Sequence, residues 1–295
     1  MKYIISVLTI LCLLYSCRKE EITHKSISKV KTESRTIKKT LDSLNISILL
    51  DLSDRIGYSN QKENDLKHVV NIAEIFKNHV MNKKSILLEE HLQVFFEPDP
   101  HPDKTDDVVA ELKFDITKNS TKETMTSIKK KYKEFIPQLY EWAKESPDTK
   151  NGADIWRFFK DNVTDYCIEE GHRNILIILT DGYLYHQGNI LKKGKRTTRI
   201  NQKLLNSTTL NRQDWKTIID KNNMGILWEE GELKDLEILV LGIDKHDNKN
   251  PNAEDIIKYY WSNWFTEMGV QKFKIKRTGK PAHLKKVIHD FILDE

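Results

Sequence analysis

Hydrophobic and polar positions along this chain switch repeatedly between two periods. Residues 46–52 (ISILLDL) form a continuous apolar run ending in an acid, the pattern of a strand buried on both faces. Leu66, Val69, Val70, Ala73, Phe76 and Val80 then follow at helical spacing. Residues 92–96 (LQVFF) predict a second strand, closed by the loop EPDPHPDK, and residues 111–116 a third. Met125, Ile128, Tyr132, Phe135, Leu139 and Trp142 predict an amphipathic helix kinked at Pro137. A shorter helix is predicted over 155–163. Residues 175–179 (ILIIL) and 236–242 (LEILVLG) predict two more buried strands, and 273–276 a short last one. Apolar stripes over 256–268 and 284–292 predict the remaining helices, with Trp261 and Trp264 as core residues rather than a ligand site.

Strands alternating with helices predict an α/β fold, a doubly wound and mostly parallel sheet with helices on both faces. In such a sheet the functional loops lie at the carboxyl ends of the strands. The rhythm breaks over about 184–234. That stretch is polar and carries the basic run Lys192-Lys193-Gly194-Lys195-Arg196 with Arg199. It reads as an insertion between two core strands, with a short helix within 211–220. The basic run reads first as a solvated face and second as a site for acidic surfaces.

The amino terminus follows another pattern. Lys2 precedes an apolar run over residues 3–15, and the run ends in Leu14-Tyr15-Ser16-Cys17. That layout predicts a secretory signal peptide over 1–16, too short to span a bilayer comfortably. The Leu-x-Ser-Cys ending resembles the lipobox of bacterial lipoproteins. The resemblance implies cleavage before Cys17 and a covalent lipid, palmitate included, on that cysteine. Cys17-Arg18-Lys19-Glu20-Glu21 resembles the export signal of Bacteroidetes surface lipoproteins, which implies an outer-membrane lipoprotein at the cell surface, with the periplasmic face as the alternative. Residues 17–44 then read as a lipidated flexible tether, with eight Lys and Arg against four acids among 18–44, a net +4. Residues 45–295 are left for one domain.

Composition narrows the picture little. Of 295 residues 38% are hydrophobic and 31% charged, which fits a folded domain with a well-charged surface. A net charge of +4 gives no case for nucleic-acid binding. Cys12 falls in the signal peptide and Cys17 at the lipidation point, so Cys167 has no partner for a disulfide.

Two acidic motifs carry the candidate chemistry. Asp51-Leu52-Ser53-Asp54-Arg55 follows the first strand, and Thr180-Asp181-Gly182 follows ILIIL. Together they resemble the von Willebrand factor A fold, with Asp-x-Ser-x-Ser after its first strand, a Thr on a second loop and an Asp-Gly after a later strand. The resemblance implies a metal-ion-dependent adhesion site for Mg²⁺ or Mn²⁺, made here by Asp51, Ser53, Asp154 and Asp181, and a protein partner that offers an acidic group. The chain departs from that pattern twice. Arg55 replaces the last Ser, and Ala153 stands where the Thr would be. Either a carboxylate-rich site still holds an ion weakly, or the Arg55 guanidinium takes its place and pairs with Asp51 or Asp181. Losing two ligand positions weighs toward the second.

Enzymatic readings find less support. A phosphoaspartate mechanism needs a second Asp at the position of Ser53. No Gly-rich phosphate loop, Gly-x-Ser-x-Gly turn or His-Glu-x-x-His pattern occurs. A metal-dependent hydrolase and a metal-free envelope scaffold stand as the alternatives to a protein-binding domain.

Overall fold

The fold is organised by a six-stranded sheet in a computed structural model, whose described residues are 43–188 and 190–294. Its strands are β1 (Leu44–Asp51), β2 (Glu89–Glu97), β3 (Phe114–Thr117), β4 (Arg173–Leu179), β5 (Leu236–Ile243) and β6 (Lys272–Arg277). They lie in the order β6-β5-β4-β1-β2-β3, all parallel except β3, which runs antiparallel to β2. The principal helices are α1 (Gln61–Asn82), α2 (Thr105–Leu112), α3 (Lys122–Glu145), α4 (Ile155–Asp161), α5 (Val163–Cys167), α6 (Ala253–Glu267) and α7 (Pro281–Leu293). The sheet is therefore doubly wound and mostly parallel, as the alternating pattern predicts.

Strand periodicity divides the core into two layers. Ile46, Ile48 and Leu50 of β1, with Ile175, Ile177 and Leu179 of β4, face the cluster packed by α1, α2, α3 and α7. Leu49, Leu176 and Ile178 face the opposite cluster, where α4, α5 and α6 pack and Trp261 and Trp264 are fully buried. Both faces are covered, which is why these strands read as unbroken apolar runs.

Several predicted boundaries move. Residues 111 and 112 belong to α2 rather than to a strand, and β3 starts only at Phe114. The helix α2 has just three buried residues, Thr105, Val108 and Leu112, too sparse a stripe to register as a period. The helix α3 runs on through Pro137. The stretch between β4 and β5 is folded, not merely polar. Its two-residue strands Lys192–Lys193, Arg196–Thr197 and Gly225–Ile226 form a small sheet, and helices Gln202–Leu205 and Trp215–Lys221 flank it. Leu184, Ile200, Leu205, Leu210, Ile219 and Ile226 anchor it to the second core cluster.

The predicted signal peptide, Cys17 and nearly all of the tether lie outside the described residues, so their placement has no structural account. No helix among the described residues is long and apolar enough to cross a membrane.

Candidate functional site

The strand order reverses direction between β1 and β4, which pair directly over Leu44–Leu50 and Arg173–Leu179. The carboxyl ends on either side of such a switch point diverge into a crevice. The two acidic motifs stand there. One side of the crevice is supplied by Ser53, Asp54 and Tyr58, the other by Asp181, Tyr183 and His246, around a volume of about 320 Å³.

Asp51 closes β1 and is buried. Its Oδ1 accepts hydrogen bonds from the Ser53 backbone N–H at 3.1 Å and from the Ser53 hydroxyl at 2.6 Å. The Thr180 hydroxyl donates to its Oδ2 at 2.7 Å, tying the end of β4 to the end of β1. Arg55 Nε faces the same Oδ2 at 3.5 Å, an ion pair without a hydrogen bond. The guanidinium then turns to Asp65 on α1, whose Oδ2 accepts from both terminal nitrogens at 2.9 and 3.0 Å. The Tyr140 hydroxyl donates to Asp65 Oδ2 at 3.0 Å, and Gln61 Nε2 to Oδ1 at 3.0 Å. Arg55 is only 1% exposed, so a full cation sits beneath the crevice between two buried carboxylates.

The charges respond accordingly. Burial raises the Asp51 carboxyl above the usual carboxylate range, against the pull of Arg55. Asp65 is raised for the same reason, and Arg55 again opposes the shift. Burial works against the Arg55 charge, but Asp65 and Asp51 outweigh it and hold the guanidinium more firmly protonated than usual. Glu97, at the end of β2, is pushed up to about 7 by burial and by the neighbouring Asp154 charge.

Asp181 is held differently. Its Oδ1 accepts from the Tyr183 N–H at 3.0 Å and its Oδ2 lies 2.8 Å from His246 Nε2. The His246 ring stacks on Tyr58, with centroids 3.7 Å apart and planes 6° from parallel. The loops after β1, β4 and β5 are thereby joined across the crevice. Gly182 allows the turn, since its φ is +90° and a Cβ there would lie 2.5 Å from Ile243 and 2.6 Å from Ile257. Trp261 Nε1 donates to its carbonyl at 2.9 Å.

Of the residues predicted from sequence, Asp51, Ser53 and Arg55 are joined directly, and Asp181 faces the same crevice through His246. Asp154 serves as the N-cap of α4. Its Oδ1 accepts from the Arg157 N–H at 3.1 Å, and its Oδ2 lies 3.3 Å from Arg157 Nε and 3.6 Å from His186 Nδ1. Thr149 faces inward, donating to the Ala143 carbonyl at 2.9 Å, and does not stand in for the missing loop Thr. Sequence reasoning missed Asp65, Tyr140, Glu97 and His246. Asp65 had a signal, an acid four residues before Val69 on the inward stripe of α1.

The residues present do not fit a divalent cation well. Both oxygens of Asp51 are already occupied, Arg55 fills a ligand position with positive charge, and Asp154 is spent on capping and on Arg157. No cluster of three or more His, Cys, Asp or Glu among the described residues is arranged to hold a metal ion. No family model matches the chain, and no curated protein matches it.

Proposed function

We propose that the chain is a lipid-anchored outer-membrane protein whose domain binds a protein partner at the carboxyl-edge crevice, without a bridging metal ion. One observation carries the reading. The buried Arg55 cation, paired with Asp51 and with Asp65, which Tyr140 also bonds, lies at the end of β1 beside the switch point of the sheet. It supplies internally the positive charge that an adhesion-type metal would bring. The doubly wound strand order and the paired Asp51 and Asp181 motifs support a von Willebrand factor A-like domain.

The rim above the cation suits a protein surface. Tyr58 and Tyr185 are 39% and 37% exposed, and Ile190 and Leu191 on the neighbouring insertion are 50% and 45% exposed. Tyrosines are among the residues that protein interfaces enrich. The hydrolase alternative draws no support from this geometry, since it needs a bound ion to activate water.

The test places a photoreactive amino acid at Tyr58, at Tyr185, and at the exposed Ile86 ahead of β2 as a control. In cells, the first two positions are expected to give one shared cross-linked product that chelator does not remove, and the control to give none of it. Cross-linking lost on chelation would restore the metal-dependent reading. A product from Ile86, with none from Tyr58 or Tyr185, would move the interface away from the crevice. Labelled palmitate lost in Cys17→Ser would test the anchor separately.

A further inference from the structure

A second concavity, mostly apolar, lies away from the crevice, between α1, α3 and α7. It encloses about 530 Å³, with Leu66, Val70, Pro137, Pro281 and Ala282 among its walls. That volume is typical of small-molecule sites. Its polar groups divide between the wall and the rim. His68 sits in its wall, buried, and burial lowers its imidazole to about 4, so the ring is neutral at physiological pH. The Asn71 side chain lines the same space.

Charge at the rim selects the kind of ligand. Lys67, Lys133 and Lys285 surround the opening, all exposed. The single acid of the lining, Glu74, is bonded to Lys129 at 2.7 Å. A second copy of the chain meeting this face across a two-fold axis would set lysines against lysines. A peptide would bring backbone N–H and C=O groups against walls that offer them little. An aliphatic chain has no such groups along its length.

We propose that this groove binds a single-chain anionic amphiphile, its tail along the apolar walls and its acidic head between Lys133 and Lys285. Alkyl carboxylates from octanoate to tetradecanoate, below their micelle concentrations, are titrated calorimetrically into the full chain. One-to-one binding is expected to tighten about fourfold per added methylene, from ~0.8 kcal/mol each, until the groove is full. Alkyltrimethylammonium ions of equal length are expected to bind at least about tenfold more weakly. Val70→Trp, which fills the groove, is expected to abolish binding, and Lys133→Glu with Lys285→Glu to weaken it. Should Val70→Trp fail to fold, Ala282→Trp at an exposed wall position makes the same test. Binding that ignores tail length, equal binding of the cationic amphiphiles, or full binding in a folded Trp variant would overturn the assignment. So would an acidic amphipathic peptide that binds while every carboxylate fails.

Discussion

Replacing Arg55 by Leu tests the buried charge network most severely. The guanidinium is 1% exposed, makes two charge-assisted bonds to Asp65 at 2.9 and 3.0 Å, and faces Asp51 at 3.5 Å. Leu keeps much of the aliphatic volume but strands two buried carboxylates. Breaking a buried pair from one side costs about 3–5 kcal/mol, because the partner charge stays behind uncompensated. The cost depends on pH with a definite sign. Burial already raises both carboxyls, and without Arg55 they rise further. A folded-state value above the unfolded one means that the native state holds extra protons, so stability falls as pH rises through that value. Arg55→Leu is therefore expected to lose about 3–5 kcal/mol near pH 8 and less near pH 5, measured by urea denaturation. Arg55→Leu with Asp65→Asn and Asp51→Asn should regain most of the loss. A loss under about 1 kcal/mol near pH 8, or one that does not shrink in acid, would refute this reasoning.

Three further outcomes follow from the same geometry. Glu97, pushed to about 7 from an ordinary 4.5, costs stability as pH rises from about 4.5 to 7, so Glu97→Gln should gain up to about 3 kcal/mol over the natural chain above pH 7 and little near pH 4. A pH-independent difference in urea midpoints would contradict this. Gly182→Ala should cost at least about 1 kcal/mol, since a Cβ at φ +90° meets Ile243 and Ile257, and a calorimetric melt that stays put would refute the contact. Burial pushes the Cys167 thiol up to about 12, so alkylation should be slow in the folded chain and rapid in urea; equal rates would place the thiol at the surface.

The sheet was legible because its strands are buried on both faces. ILLDL and ILIIL carry enough apolar residues in a row to specify parallel strands without tertiary knowledge, and the acid after each marks a carboxyl-edge loop. The direct ion pair of Arg55 with Asp51 was also within reach, at a spacing of four residues. Its second partner was not. Asp65 meets Arg55, and Tyr140 meets Asp65, only because α1 and α3 pack beside the end of β1, a contact that local periodicity does not encode. His246 lies 65 residues beyond Asp181, on the loop after β5, and only the β4–β5 pairing brings the two together. The insertion looked like a polar loop because its apolar anchors, such as Leu184, Ile200 and Ile226, are too widely spaced to form a stripe.

The central claim is that Arg55 does the work of an ion beneath the crevice. Calorimetric titration of Mg²⁺ and Mn²⁺ into the full chain, with Asp51→Ala and the double variant Arg55→Ser with Ala153→Thr alongside, tests it most directly. The account predicts no saturable heat in the natural chain or in Asp51→Ala, and binding that appears in the double variant, where the missing hydroxyl ligands are restored. Saturable binding to the natural chain that disappears in Asp51→Ala would contradict it.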